Sequence, residues 1–334
     1  MARRSLHFVT KISKLCNLRC SYCYEYAELS STARMGMSDI ASWCGSIAEH
    51  ADSTGLDEVR FVWHGGEPLL IRPEVYEEIG SLQRSNFEGR LVHSNVVQTN
   101  LTVMTPHLLD FLAEGRFFAG IGMSFDVYGN QRVDTKGRLR TDTILRNMQT
   151  LLARGIPFGG ISVLSRDTLP HAVAIYRFWD SLGVPVRFLP FYMSSDAGQI
   201  DRHALSRAEI VEALAALFDV WLESPGPTPP QPLDTYLDLA VDHLRGKGRR
   251  YDPVEDEATF IVNVDGEVYG EANAYLPGRS YGNAFRDPVS AILASPVRLR
   301  AAEEADDRMS RFCTRCPYVG SCPGYFVANA TPEQ

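Results

Sequence analysis

Cys16-Asn17-Leu18-Arg19-Cys20-Ser21-Tyr22-Cys23 carries three thiols in the spacing C-x3-C-x2-C. A loop this tight can bring all three sulfurs onto one iron–sulfur cube, whose four irons are normally held by four cysteine thiolates. Three ligands leave one iron open to something other than the protein. The competing reading, zinc, ordinarily requires a fourth ligand in the same loop or close by. An apolar, strand-like run over 6–12 precedes the triplet, which places the loop at a strand's C-terminal end.

Further strand-like runs follow at 58–63, 95–99, 118–124, 158–164 and 186–189. Amphipathic stretches such as 38–50, 106–113, 141–153 and 172–182 separate them. Strands alternating with helices imply βαβ units and a parallel sheet. The fold class is therefore α/β, and six units suit a partial (β/α)6 barrel or an open wound sheet, with functional groups on loops at the strand C-terminal ends. A helix over 208–223 runs into Ser224-Pro225-Gly226-Pro227-Thr228-Pro229-Pro230-Gln231-Pro232, whose prolines read as a stiff linker. Beyond it come a helical segment, 233–244, and a hairpin signal at Asp265-Gly266 between alternating runs. The expected division is a core domain, 1–224, and a linker with a small α+β domain, 225–334.

The chain has 334 residues, a net charge of −8 and no Lys/Arg block, so neither nucleic acid nor an anionic membrane is an expected partner. No run approaches the roughly 18 apolar residues of a membrane span, and the first residues lack a signal-peptide core. The cytoplasm is the expected compartment. The seven cysteines form two groups of three, Cys16/Cys20/Cys23 and Cys313/Cys316/Cys322, with Cys44 alone. In a reducing compartment such groups indicate metal sites rather than disulfides. Cys44 shares a helical face with Ile40 and Ile47 and reads as a core thiol.

Four motifs appear in order at successive strand ends: the triplet with Tyr22, then Trp63-His64-Gly65-Gly66-Glu67-Pro68-Leu69, then Gln98-Thr99-Asn100, then Gly122-Met123-Ser124-Phe125-Asp126. Together they resemble the radical SAM superfamily over roughly residues 6–190. The resemblance implies a [4Fe–4S] cluster on Cys16, Cys20 and Cys23 whose open iron chelates the amino and carboxylate groups of S-adenosylmethionine (SAM). Reductive cleavage of SAM then yields a 5′-deoxyadenosyl radical that abstracts hydrogen from an unactivated carbon. The protein's task is to orient the cofactor and exclude side reactions. By the same resemblance Gly65, Gly66, Glu67 and Pro68 contact the methionyl amino group, Tyr22 lies near the adenine, and Ser124 contacts the methionyl or ribose portion. Gly65 and Gly66 suit a backbone that approaches a ligand closely. Gln98 and Asn100 either line the cavity or satisfy backbone groups at the sheet end. Asp126 is the candidate catalytic residue, substrate-facing or acid/base, against the alternative of a cap or loop hydrogen bonder. Arg132 sits where relatives often carry an arginine.

Cys313-x2-Cys316-x5-Cys322 resembles part of a SPASM domain, an auxiliary-cluster module with seven cysteines and two further clusters. Gly270-Glu271-Ala272 and the stretch 279–285 lack cysteines the module would have, and Phe326 stands where the run would continue. One auxiliary cluster is thus absent. The other keeps three ligands and is expected to hold a second [4Fe–4S] cluster with an open or non-cysteine fourth site; zinc or an empty site is the alternative. The resemblance is to maturases of ribosomally made peptides, which form cross-links or thioethers or invert stereocentres. A peptide substrate and a flavodoxin- or ferredoxin-type electron donor are the implied partners. The strand pattern begins almost at Met1, so a preceding peptide-recognition domain is not expected, which weighs against the peptide assignment. The other function class is a small-molecule enzyme acting on a nucleoside, sugar or amino acid by epimerisation, dehydrogenation or sulfur insertion. A non-catalytic iron–sulfur carrier would not need the SAM-site motifs.

Overall fold

The computed structural model of the protein describes residues 4–191, 202–223, 229–248, 250–270 and 278–328. Six parallel strands lie side by side in chain order: β1 (Ser5–Ser13), β2 (Glu58–Gly65), β3 (Val92–Thr99), β4 (Phe118–Ser124), β5 (Gly159–Leu164) and β6 (Val186–Pro190). Helices α1 (Met37–Thr54), α2 (Pro73–Phe87), α3 (Pro106–Glu114), α4 (Thr141–Ala153) and α5 (Ala172–Ser181) make the five crossovers. This is the expected partial barrel. Local chemistry sets the helix ends. At α3, Thr105 caps Leu108 N, Pro106 occupies the first turn and Gly115 ends the helix in the left-handed region.

Alternation along the strands sorts the residues onto two faces. One face packs against the helices through Phe8, Phe61 and Trp63, which meet Trp43 of α1 and Tyr76 and Phe87 of α2. In these aromatic contacts the rings lie close, the Phe8 and Trp43 centroids 5.0 Å apart. Truncating one of these rings to alanine costs about 3–5 kcal/mol. The Trp63 Nε1–H donates to Asn95 at 2.8 Å, and Asn95 and Gln83 exchange amide bonds, so the buried polar groups there are satisfied. Cys44 lies in this core, and burial pushes its thiol up to about 12. The other face carries Lys11, His64, Gln98 and Ser124 near the strand C-terminal ends.

The rest of the chain forms α6 (Arg207–Glu223), α7 (Leu233–Leu244), β7 (Thr259–Val262), β8 (Glu267–Tyr269), β9 (Gly282–Asn283), α8 (Val289–Leu293), α9 (Pro296–Cys313) and α10 (Tyr325–Ala328). Strand β7 pairs in parallel with β1, from His7↔Thr259 to Thr10↔Val262, and β8 and β9 follow antiparallel. One nine-stranded sheet therefore runs through both parts of the chain, in the order β6-β5-β4-β3-β2-β1-β7-β8-β9. The β7–β8 connection is the hairpin expected at Asp265-Gly266, closed by Gly266 N to Asn263 O at 2.9 Å. Of the proline-rich stretch, 224–228 lies outside the described residues. Its remainder is docked: Gln231 lies along the edge of β6, bonded to Val186 and Phe188.

Candidate active site

The loop after β1 is closed on itself before it presents its cysteines. Lys14 N bonds Ala33 O, Cys16 N bonds Leu29 O, and Met35 N returns to Ile12 O, each at 3.0 Å. Cys16 and Cys20 are buried and Cys23 is partly so. Burial pushes Cys16 up to about 11 and Cys23 up to about 12, and it raises Cys20 as well. Thiols in such surroundings keep their protons until a metal displaces them. Donors already face the sulfurs. Leu18 N lies 3.4 Å and Asn100 Nδ2 3.7 Å from Cys16 Sγ, and Arg132 Nη1 lies 3.9 Å from Cys20 Sγ. Hydrogen bonds of this kind stabilise thiolate ligands and tune cluster potentials, so the donor set fits an iron–sulfur cluster.

The Gly-Gly turn after β2 is welded to this loop. Gly66 N donates to Ser13 O and Glu67 N to Leu15 O, both at 2.8 Å. A Cβ on Gly65 would stand 2.1 Å from Ser13 O, and one on Gly66 would stand 2.2 Å from Leu15 O. Gly65 also has φ +125°. The two glycines are thus required by backbone meeting backbone, a reason independent of any ligand. The buried Glu67 carboxylate accepts from Thr99 Oγ1 (2.7 Å), Leu69 N (2.9 Å) and Asn100 N (2.7 Å), tying the ends of β2 and β3 together. Burial outweighs these bonds and pushes the carboxyl up to about 7. Pro68 opens a short 3-10 turn, and its carbonyl accepts from Tyr76.

Gln98 donates to Ser124 Oγ at 2.8 Å across β3 and β4, over Gly122, where a side chain would strike the amide. Asn100 reaches Asn17 at 3.0 Å as well as Cys16, and its carbonyl accepts from Thr102. It is thus a link between β3 and the cysteine loop. Asp126 is buried and committed to three partners. Val163 N donates at 2.8 Å, Arg132 pairs with it at 3.0 Å, and the Tyr22 hydroxyl donates to it. Arg132 stacks over the Tyr22 ring at 5.4 Å while reaching Cys20. The structure therefore brings Asn100, Arg132 and Asp126 to the first triplet and the Gly66-Glu67 turn to its loop, while Gln98 and Ser124 pair with each other.

Sequence reasoning passed over a buried ionic network behind that triplet. Lys11 Nζ contacts Glu25 at 3.1 Å, His64 Nδ1 at 3.3 Å and the Tyr24 hydroxyl. Lys14 pairs with Glu25 at 3.2 Å and Glu28 at 2.7 Å. Gly65 N donates to His64 Nδ1 at 2.7 Å, so that nitrogen is the acceptor. Burial, reinforced by Lys11, pushes the imidazole down to about 3. The available signal was a lysine inside an apolar strand, with parity opposite to Phe8. The C-terminal cysteines lie on successive turns: Cys316 N bonds Cys313 O at 2.9 Å, and Cys322 N bonds Tyr318 O at 2.8 Å.

A parallel half-barrel with a three-cysteine loop after its first strand, clamped by the glycines after its second, defines an iron–sulfur enzyme that works at the strand C-terminal ends. The chain belongs to the radical SAM superfamily, whose sequence profile matches residues 10–178; its cofactors are SAM and the [4Fe–4S] cluster that binds it. The chain is 25% identical to a serine-type anaerobic sulfatase-maturating enzyme of Bacteroides thetaiotaomicron, across 95% of this chain and 81% of that protein. It is 29% identical to the enzyme of the same name from Klebsiella pneumoniae, across 96% and 82%. The structure of anSMEcpe with bound AdoMet and Cp18Cys peptide matches with a TM-score of 0.75 at 20% identity, covering 96% of this chain and 88% of that one. Streptococcus suis SuiB bound to S-adenosylmethionine matches at 0.64 and 14% identity, covering 96% and 73%. These structural likenesses establish a shared fold. Among the described residues no helix is long and apolar enough to cross a membrane.

Proposed function

We propose that this enzyme abstracts hydrogen from a residue of a peptide substrate, most simply a ribosomally made one, leading to a cross-link, a thioether or an inverted stereocentre. The observation that carries this reading is similarity along nearly the whole chain to enzymes named for maturing sulfatases. When bound, SAM and the cluster supply the 5′-deoxyadenosyl radical. The chain's residues hold and orient. Cys16, Cys20 and Cys23 ligate the cluster, and the turn Gly65-Gly66-Glu67-Pro68 receives the methionyl amino group. Tyr22 lies at the adenine, and Gln98, Asn100 and Ser124 border the cofactor. Asp126 serves as a positioning residue: its three donors support the hydrogen-bonding role over acid/base work. Residues 1–224 form the catalytic core. Residues 225–334 form the linker and the auxiliary module, with a second [4Fe–4S] cluster on Cys313, Cys316 and Cys322. A flavodoxin- or ferredoxin-type protein of the cytoplasm supplies the electron.

Anaerobic incubation with SAM and dithionite tests the chemistry. 5′-Deoxyadenosine should form, and replacing Cys16, Cys20 and Cys23 by alanine should abolish it. The substrate class is tested with short peptides encoded beside the gene. Cross-link or thioether formation removes two hydrogens from the peptide, whereas epimerisation in D2O leaves one deuterium. Turnover of a nucleoside, sugar or amino acid, with every such peptide unchanged, would overturn the peptide reading in favour of the small-molecule one.

A further inference from the structure

We infer that His243 is the fourth protein ligand of the C-terminal three-cysteine site, an inference that rests on the second cluster proposed above. The cysteine run leaves one iron without a thiolate, and the sequence places Phe326 where a fourth cysteine would continue it. The fold supplies a substitute from another element. The end of α7 and the segment after it pack against the loop containing Cys322 at three points. His243 Nδ1 lies 2.9 Å from the Ser321 hydroxyl, next to Cys322 in sequence. At Gly248, a Cβ would stand 2.5 Å from Ser321 Cα. Tyr251 N donates to Pro323 O at 2.7 Å. The His243 ring also meets Tyr318, between Cys316 and Cys322, edge-on at 5.1 Å.

Imidazole is a good iron ligand, and ligating histidines commonly have their second ring nitrogen fixed by a hydrogen bond. At His243 that bond is already made through Nδ1. Nε2 has no hydrogen-bond partner among the described residues and is the nitrogen left for a metal. Two other donors lie near the site. Tyr236 is two turns earlier on the same helix, where burial and the nearby Cys322 raise its pKa. Met309 is buried beside Gly324. Neither brings a nitrogen, so nitrogen spectroscopy separates His243 from both.

The test uses the full chain with Cys16, Cys20 and Cys23 replaced by alanine, reconstituted anaerobically with iron and sulfide, so that only the C-terminal site is loaded. The expected result is about four irons per chain. Pulsed EPR of the reduced cluster should show a directly coordinated nitrogen whose coupling changes on 15N-histidine labelling and vanishes in His243→Ala. His243→Cys should keep the iron and lose the coupling, which guards against a variant that fails to fold. Iron without a histidine coupling, or a coupling that survives His243→Ala, overturns the ligand assignment alone. Zinc in place of iron, or no metal, overturns the second cluster and the assignment with it.

Discussion

The two three-cysteine groups of this chain have the same cysteine count and opposite settings. At the first, Cys16 and Cys20 are 8% and 6% exposed, donors face their sulfurs, and β1, β2 and β3 are locked around the loop through Gly66, Glu67 and Asn100. At the second, all three cysteines are partly exposed, on a helix end and short turns, among apolar side chains as open as Phe312 at 72% and Leu244 at 85%. A buried, preorganised site suits radical chemistry that must exclude water. An open one suits exchange of electrons or ligands with the outside. Cysteine spacing alone does not distinguish these two uses; the surroundings do.

The comparison breaks first at the ligands. Cys16→Ser should lower 5′-deoxyadenosine formation roughly a thousandfold or more, about 4 kcal/mol of barrier. Cys322→Ser should leave dithionite-driven cleavage within about twofold, under about 0.5 kcal/mol. Product chromatography reads both; equal losses would show the two sites to be one functional unit. Next in size, Arg132→Met leaves the Asp126 carboxylate buried without its cation and should cost about 3 kcal/mol in denaturant unfolding. The paired variant Asp126→Asn/Arg132→Met should recover part of that.

A pH effect follows from Glu67. Its carboxyl is pushed up to about 7 in the fold against an unfolded value of about 4.3. The folded state therefore holds the proton more tightly over that window. Wild-type stability should fall relative to Glu67→Gln as pH rises from about 4.3 to 7, by up to roughly 4 kcal/mol, and then level off. Parallel unfolding curves across the window would remove the titration. The smallest effect belongs to the open site: Leu244→Ser should shift stability by no more than about 0.5 kcal/mol, checked by thermal melting.

The βα order of the core was legible because each strand is an apolar run with its own parity and each crossover a helical period. Helices α2 and α9 are not among the segments singled out by that reading. The first is introduced by Pro73 and the second is dominated by charged residues. The pairing of β7 with β1 was hidden for a different reason: about 250 residues separate His7 from Thr259, and no local pattern records which edge a short strand will choose. At the site, Gly65 and Gly66 were visible as a motif, but the backbone contacts that require them were not. A sequence shows that a Cβ is excluded, not that Ser13 O and Leu15 O exclude it. Asp126 was visible as a strand-end carboxylate; that Tyr22, Arg132 and Val163 claim it required the fold.

The sequence by itself determined the superfamily and the half-barrel, and singled out Cys16, Cys20 and Cys23, because motif spacing and hydrophobic period are local properties. Only the tertiary structure decided what surrounds each cysteine set: the Lys11–Glu25–His64 network behind the first, and His243 beside the second. Both depend on side chains distant in the chain, and only packing makes them neighbours.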